Sequence, residues 1–428
     1  MHSNNFVSAL IISSVLFAPA AFARGPLAPA QIAPLADTVT AANPADSYQA
    51  LLEAERKGLV AALGAGAGGT ITQDAIDKAK QEVPFADTGW LKASGYDFTV
   101  KNNQDAGIKV LSSFITLPRW QLERSLMTVA EINHGATPAQ QQHAIVDAQG
   151  QSFLYFLPEA LGPRLGAAFL RVYEMGEIGK AVALIKASEI STGAAKSYFN
   201  YPRPFLIDGN SIGKVPDNSV VQDGSPYKAT GGSYPSGHTN TGYTDALLLA
   251  EMLPERFVPL LNRAAGYGYS RVVLGVHYPL DVIGSRMVVE RNVAHFLNDP
   301  AYKTLFDTAR DELRAALEKE CGVSITECAR VTDSASDPWA TLQLQDFYRF
   351  TMTYDLPQSG APGVVMQVPE GAQVLLGTLL PNLSAEQRKD LLARTAIDSG
   401  YPLDSQDAQS GFWQRIDLHA AALAAHSN

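Results

Sequence analysis

Gly232-Ser-Tyr-Pro-Ser-Gly-His-Thr239 runs directly into Asn240-Thr-Gly-Tyr-Thr-Asp-Ala-Leu-Leu-Leu249. The first half is a turn built on Pro235, Ser236 and Gly237, and the second half reads as a helix. A glycine-containing turn at a helix start aims backbone N–H groups and the positive end of the helix dipole at one point, which is an anion site. Ser236 adds a hydroxyl donor. His238 stands where a proton can be handed to a departing oxygen. Taken alone, the same string also describes a capped helix start with an ordinary histidine.

Two further clusters flank it. Upstream, Lys196-Ser-Tyr-Phe-Asn-Tyr-Pro-Arg203-Pro204 places two cations on either side of a stretch that Pro202 and Pro204 break out of helix. Such a bend can aim both at one point, Arg203 as a planar fork of donors and Lys196 as a point charge; a solvated basic face is the plainer reading. Downstream, Ser270-Arg271-Val-Val-Leu-Gly-Val-His277-Tyr-Pro-Leu-Asp281 sets a histidine and a carboxylate four residues apart. In a helix whose first turn holds Pro279, the two share a face. The carboxylate would hold one ring nitrogen as N–H and leave the other nucleophilic, or the pair is merely structural. Arg271 is a third cation.

The combination is more specific than its parts. Lys-x6-Arg-Pro, Pro-Ser-Gly-His and Ser-Arg-x5-His-x3-Asp follow one another at intervals of 30 and 31 residues. This order resembles the three-part motif of the type 2 phosphatidic acid phosphatase (PAP2) superfamily, which also contains the vanadium-dependent haloperoxidases. Every motif position is matched. The string Gly232–Thr239 is similar to that of the bacterial class A non-specific acid phosphatases, which are secreted and soluble. The resemblance spans roughly 104–317, about half of the chain. It implies an all-α helical bundle with the motifs converging at one end, and metal-independent, two-step phosphoryl transfer from a small phosphomonoester. It makes His277 the nucleophile, Asp281 its orienting partner, and His238 first the acid that protonates the leaving alkoxide, then the base that activates water. Lys196, Arg203 and Arg271 bind phosphate oxygens, with Ser236 and the Gly237 N–H completing the cradle and Ser270 in support. No cofactor is implied for a phosphatase. In a haloperoxidase the same residues would hold vanadate, which otherwise acts as an inhibitor. An acidic working range follows, about pH 5–6.5, from a histidine that must be protonated beside one that must not.

The remaining sequence sets limits. The 428 residues carry a formal charge of −10, against a general nucleic-acid binder, and 46% hydrophobic residues, against wholesale disorder. Phe6 to Phe17 is an apolar run followed by Ala21-x-Ala23, the pattern of a secretory signal peptide and too short to span a bilayer. The expected location is periplasmic or secreted. The best later candidate for a span, 264–289, holds Arg271, His277, Asp281 and Arg286, so no membrane span is expected. The only cysteines, Cys321 and Cys328, are expected to pair if exported.

The chain therefore divides into a signal peptide (1–23), an N-terminal extension (24–103), a helical core (104–320) and a C-terminal extension (321–428). Residues 24–46 read as an extended arm, 47–63 as a helix, and Gly64–Gly69 as a flexible linker rather than a phosphate loop. Helical periodicity runs over 118–133, 138–156, 164–197, 237–252, 254–275, 280–297 and 302–319, with a capped helix over 384–395. His134, His143, His295, His419 and His426 share no ligand spacing, so no metal site is expected. Tyr201, Phe205 and Tyr234 could stack on a substrate or simply pack. Specificity is expected in 208–231 and in the N-terminal segment. A homo-oligomer is compatible with the sequence, which does not require one.

Overall fold

A computed structural model describes residues 28–40, 46–65, 70–98, 101–222, 225–226, 231–331, 334–405 and 412–426. The expected signal peptide and most of the Gly64–Gly69 linker lie outside the described residues. The fold is mostly helical. Among the described residues the regular strands are three short ones: Ile71–Thr72 pairs in parallel with Val220–Gln222, which pairs antiparallel with Ser225–Pro226.

At the centre lies the helix Gly237–Met252, in which every residue from Thr239 onward is buried. A helix apolar or satisfied on all faces needs neighbours on all sides. Phe257–Val273 and Pro279–Asn298 supply two of them, and Gly179–Ala187 a third. Pro138–Gln149 covers the outer face of Phe257–Val273, and Pro300–Cys321 closes over Pro163–Glu174 and Gly179–Ala187. The closest approach is at Gly242, where an added Cβ would stand 2.4 Å from the Tyr267 ring. The absent side chain lets the two central helices meet ring against backbone.

Several boundaries differ from the sequence reading, each for a local reason. The expected arm at 24–46 contains a helix, Pro29–Asp37, with Ile32 and Ala36 buried. Pro29 occupies its first turn, where the missing N–H costs nothing. Gln140 and Thr137 anchor it through Ala33 O (2.8 Å) and Asp37 Oδ1 (2.8 Å). The single run expected over 164–197 is three helices, Pro163–Glu174, Gly179–Ala187 and Gly193–Phe199. The first stops at Gly176, whose φ of +72° suits glycine alone. Gln73–Glu82 was not anticipated; Thr72 caps it by accepting from Ala75 N.

The terminal segments share one hydrophobic core with the central helices. Trp339 is fully buried. Its indole N–H lies 3.1 Å from both Tyr48 OH and Glu159 Oε2. Around them Arg263 pairs with Asp147 and Glu159, and His143 lies 3.2 Å from Glu159. Burial opposes ionisation of Glu159, but Arg263 and His143 outweigh it and hold the carboxyl at about 2. Burial and the Glu159 charge push Glu55 well above its usual range, and its Oε1 accepts from Glu159 N at 2.7 Å. Cys321 and Cys328 form a disulfide at the end of Pro300–Cys321. Among the described residues no helix is long and apolar enough to cross a membrane.

Gly242→Ala is expected to lower stability by about 1–3 kcal/mol, because the Tyr267 ring has nowhere to retreat in a packed core. Chemical denaturation checks this, and an unchanged midpoint would mean the helix interface has slack.

Candidate active site

The three sequence clusters meet at the N-terminal ends of the helices Gly237–Met252 and Pro279–Asn298. Ser236 is the cap of the first: its Oγ accepts from Thr239 N (3.2 Å) and Thr239 Oγ1 (2.8 Å), leaving the hydroxyl proton for another acceptor. Pro279 occupies the first turn of the second, and Asp281 Oδ2 reaches back to Tyr278 N at 2.9 Å. The two helix starts are joined directly, Ser236 N donating to Asp281 O (3.2 Å) and Ser285 Oγ to Ser236 O (2.7 Å).

His277 and Asp281 are both buried, and Nδ1 lies 2.8 Å from Oδ2. Ser233 Oγ donates to the same carboxylate oxygen. Burial pushes the Asp281 carboxyl up to about 6, the bonds from Ser233 and Tyr278 opposing the rise. Burial and the charges of Arg203, Lys196 and Arg271 hold His277 well below the usual imidazole range. It is therefore neutral at pH 7, with Nδ1–H donated to Asp281 and a bare lone pair on Nε2. Arg203 Nη1 lies 3.2 Å from that Nε2 and donates to Val276 O at 2.9 Å.

His238 is turned the other way. Its Nε2 lies 3.1 Å from Ala148 O. A carbonyl can only accept, so Nε2 carries the hydrogen and Nδ1 is left to exchange the second proton. Burial, then the Arg271 charge, lowers its pKa well below the usual value.

The cations are poorly compensated. Lys196 Nζ donates to Gly232 O (2.8 Å) and Ser233 O (2.9 Å), both neutral acceptors. Burial and the two guanidinium groups push Lys196 down to about 8, the Asp281 charge opposing them. Arg271 is buried, its pKa pushed down to about 10 chiefly by burial, and its Nε and Nη1 have no hydrogen-bond partner among the described residues. A buried guanidinium left so costs several kcal/mol unless an anion arrives. Gly237 begins its helix against Lys196: a Cβ there would stand 3.9 Å from Lys196 Cε.

Sequence reasoning thus named residues that the fold brings together: Lys196, Arg203, Ser236, Gly237, His238, Arg271, His277 and Asp281. It missed Ser233, which lies inside the quoted string, and Asp147, for which no local signal exists. Asp147 accepts from Ser270 Oγ and pairs with Arg263, while its neighbour Ala148 holds His238. Ser270 is therefore a support that faces Asp147. Tyr234 is fully buried and stacked 3.9 Å from Phe114, so it packs the core. His134 Nε2 lies 2.7 Å from Ser211 O, and His419 stacks on Tyr348. Among the described residues no three His, Cys, Asp or Glu side chains are grouped to hold a metal ion.

Residues 178–290 match the PAP2 superfamily, and the chain carries a domain of that superfamily. That stretch includes all three clusters. The chain is 34% identical over 133 residues to a non-specific acid phosphatase of Providencia stuartii, covering 31% of this chain and 50% of that protein. It is 35% identical over 123 residues to a non-specific acid phosphatase of Salmonella typhimurium (29% and 46%). An acid phosphatase of Zymomonas mobilis is 33% identical over 124 residues (29% and 44%). The chain spans about half the length of the relatives it matches.

Because Arg271 lowers the pKa of His238, Arg271→Ala is expected to raise it. The protonated form of His238 then survives to higher pH, so the alkaline limb of kcat/KM moves upward even as the rate falls by about 10²–10³. Substrate ionisation is common to both proteins and cancels. A pH–rate comparison on p-nitrophenyl phosphate reads the shift; a limb that does not move would detach Arg271 from His238.

Proposed function

We propose that this protein is an acid phosphatase that hydrolyses phosphate monoesters through a phosphohistidine on His277. The observation that carries the proposal is the buried, unpartnered guanidinium edge of Arg271 beside a neutral histidine pair. A phosphate group is an anion whose several oxygens can meet that edge and the neighbouring cations together.

The chemistry follows from the geometry. Phosphate enters among Lys196, Arg203 and Arg271, with the Gly237 N–H and the Ser236 hydroxyl donating from the helix start. Arg203 exchanges its contact with His277 Nε2 for a phosphate oxygen, which frees the lone pair. Nε2 attacks phosphorus as the ester P–O bond breaks, and Asp281 stabilises the charge that develops on the ring. The charge of the bound phosphate raises the pKa of His238, which takes up a second proton on Nδ1 and passes it to the departing alkoxide. His238 then takes a proton from water, which attacks phosphorus, breaks the N–P bond and restores His277. Phosphoryl transfer asks mainly for positioning and charge stabilisation, and three side-chain cations with one helix end supply both without a divalent ion.

His238 loses its proton as pH rises through its lowered pKa, and Lys196 loses its charge near 8. Both remove activity on the alkaline side. Protonation of Asp281 near 6 weakens the orienting bond on the acid side. Substrate charge raises the histidine values, which supports a working range below neutrality.

Export belongs to the same proposal, supported by the apolar run Phe6–Phe17, by Ala21-x-Ala23, and by the Cys321–Cys328 disulfide. A mature protein beginning at Arg24 is the expected result of N-terminal sequencing.

The direct test is phosphate release from p-nitrophenyl phosphate at acidic pH with excess chelator. Wild type is expected to turn over and His277→Ala to lose activity by at least about 10³. Inorganic phosphate at about 100 times its Kd is expected to stabilise wild type by about 2.7 kcal/mol against heat. Absence of turnover, with bromide oxidation on adding vanadate and peroxide, would assign the site to haloperoxidase chemistry instead.

A further inference from the structure

A cavity of about 120 Å³ opens beside the phosphate site. His238 and Arg271 line it, and His277 does not. In an in-line displacement the leaving group departs on the side away from the nucleophile and toward the acid. The cavity is therefore where the alcohol portion of the ester would lie. Its volume is well below the roughly 300–1,000 Å³ of pockets for drug-sized ligands, so it suits a leaving group of a few heavy atoms and not a nucleoside.

Two segments outside the phosphate cradle complete its walls. The helix Gln73–Glu82 contributes Ile76 and Lys80, and the loop before Val220 contributes Lys214, Val215 and Asp217. Both are fixed in place: Ile71–Thr72 is paired with Val220–Gln222, and Asn133 holds Gly213 through its N–H (3.1 Å) and carbonyl (2.9 Å). The one carboxylate in the lining is Asp217, and its charge opposes the lowering of the Lys214 pKa by burial and Arg203. Asp217 accepts from Gln149 Nε2 (2.8 Å), Ser219 N (3.0 Å) and Ser219 Oγ (2.6 Å). Lys80 has only a loose, half-exposed contact with Asp77, 3.8 Å away, of a kind that contributes little. The Lys80 charge also reaches the acid, adding to burial and Arg271 in lowering the His238 pKa.

We propose that this cavity selects phosphomonoesters whose small leaving group carries a second anionic group of carboxylate size, read by Lys80 and Lys214. The inference rests on the phosphatase reading and deepens it. Aliphatic walls hold a short carbon chain, His238 meets the bridging oxygen, and the two ammonium groups meet the distal charge. A carboxylate placed there offsets the Lys80 charge that works against protonation of His238, so the same contact that binds the substrate helps keep the acid charged.

The test is a matched pair of probes, 3-phosphoglycerate and glycerol 3-phosphate, which differ by a carboxylate in place of a hydroxymethyl group. Wild type is expected to prefer 3-phosphoglycerate in kcat/KM by about tenfold or more, as hydrogen bonds to charged groups allow. In the double variant Lys80→Gln, Lys214→Gln the ratio is expected to fall toward one. Because the ratio is taken within one protein, any loss of folded material cancels. A wild-type ratio near one, or a preference that survives in the double variant, overturns the proposal. If wild type cleaves neither probe nor p-nitrophenyl phosphate, the phosphatase reading itself has failed, and this inference fails with it.

Discussion

The Asp281 carboxylate is the constraint on which the site depends. One oxygen accepts from His277 Nδ1, Ser233 Oγ and Tyr278 N, and the backbone carbonyl of the same residue accepts from Ser236 N. A single residue thus fixes the tautomer of the candidate nucleophile, the start of its own helix and the start of the neighbouring one. Burial makes these bonds hard to exchange for water. Turning Asp281 away would strand three buried donors, which is why two helix starts capped by Ser236 and Tyr278, 42 residues apart in sequence, hold one geometry.

Behind the site, the charge arithmetic is the opposite of that within it. Around Arg263 the network is balanced. Burial works against both cations, but the charges of Glu159 and Asp147 outweigh it and raise the pKa of Arg263 and of His143. Two carboxylates thus face Arg263 and a histidine whose protonation they favour, and Glu55 beside them is pushed toward its neutral form. This balanced cluster draws on the N-terminal helix Asp46–Ala62, on Glu159, on Pro138–Gln149 and, through Trp339, on the C-terminal segment. It ends at Asp147, one residue from the carbonyl that holds His238 and bonded to the serine before Arg271. The terminal segments are in this way connected by direct contacts to the support of the candidate histidine His238.

What the sequence disclosed follows from this division. The residues proposed to bind phosphate lie within a few positions of a proline, a glycine or a helix cap, so their chemistry is written in local strings: Pro235-Ser-Gly-His238 and His277-Tyr-Pro-Leu-Asp281. The central helices over 237–252, 257–273 and 279–298 were legible as helical runs, whereas the run expected over 164–197 concealed three separate helices. Asp147, Glu159 and Lys80 were not legible. Their partners lie more than a hundred residues away in sequence, or across a cavity, and a lone acid or lysine on an amphipathic helix looks like a solvated face. The Pro29–Asp37 helix was hidden for a related reason: its proline and alanine content resembles an arm, and only the tertiary contacts of Ile32 and Ala36 offset the cost of ordering it.

The two clusters divide the work of a phosphoryl-transfer site. A balanced buried network gains nothing from an incoming anion, and it contributes rigidity. An unbalanced one gains a great deal, because Arg271 and Lys196 recover with a ligand the charge compensation that folding withheld. Placing the unbalanced cluster at helix starts adds fixed dipoles that need no rearrangement when charge develops on the transferring group. The Asp281 charge reaches Lys196, and the cost of leaving the cations short of full compensation is borne by the folded core around them. The terminal segments enlarge that scaffold and, through Gln73–Glu82, supply Ile76 and Lys80 to the wall of the cavity beside His238.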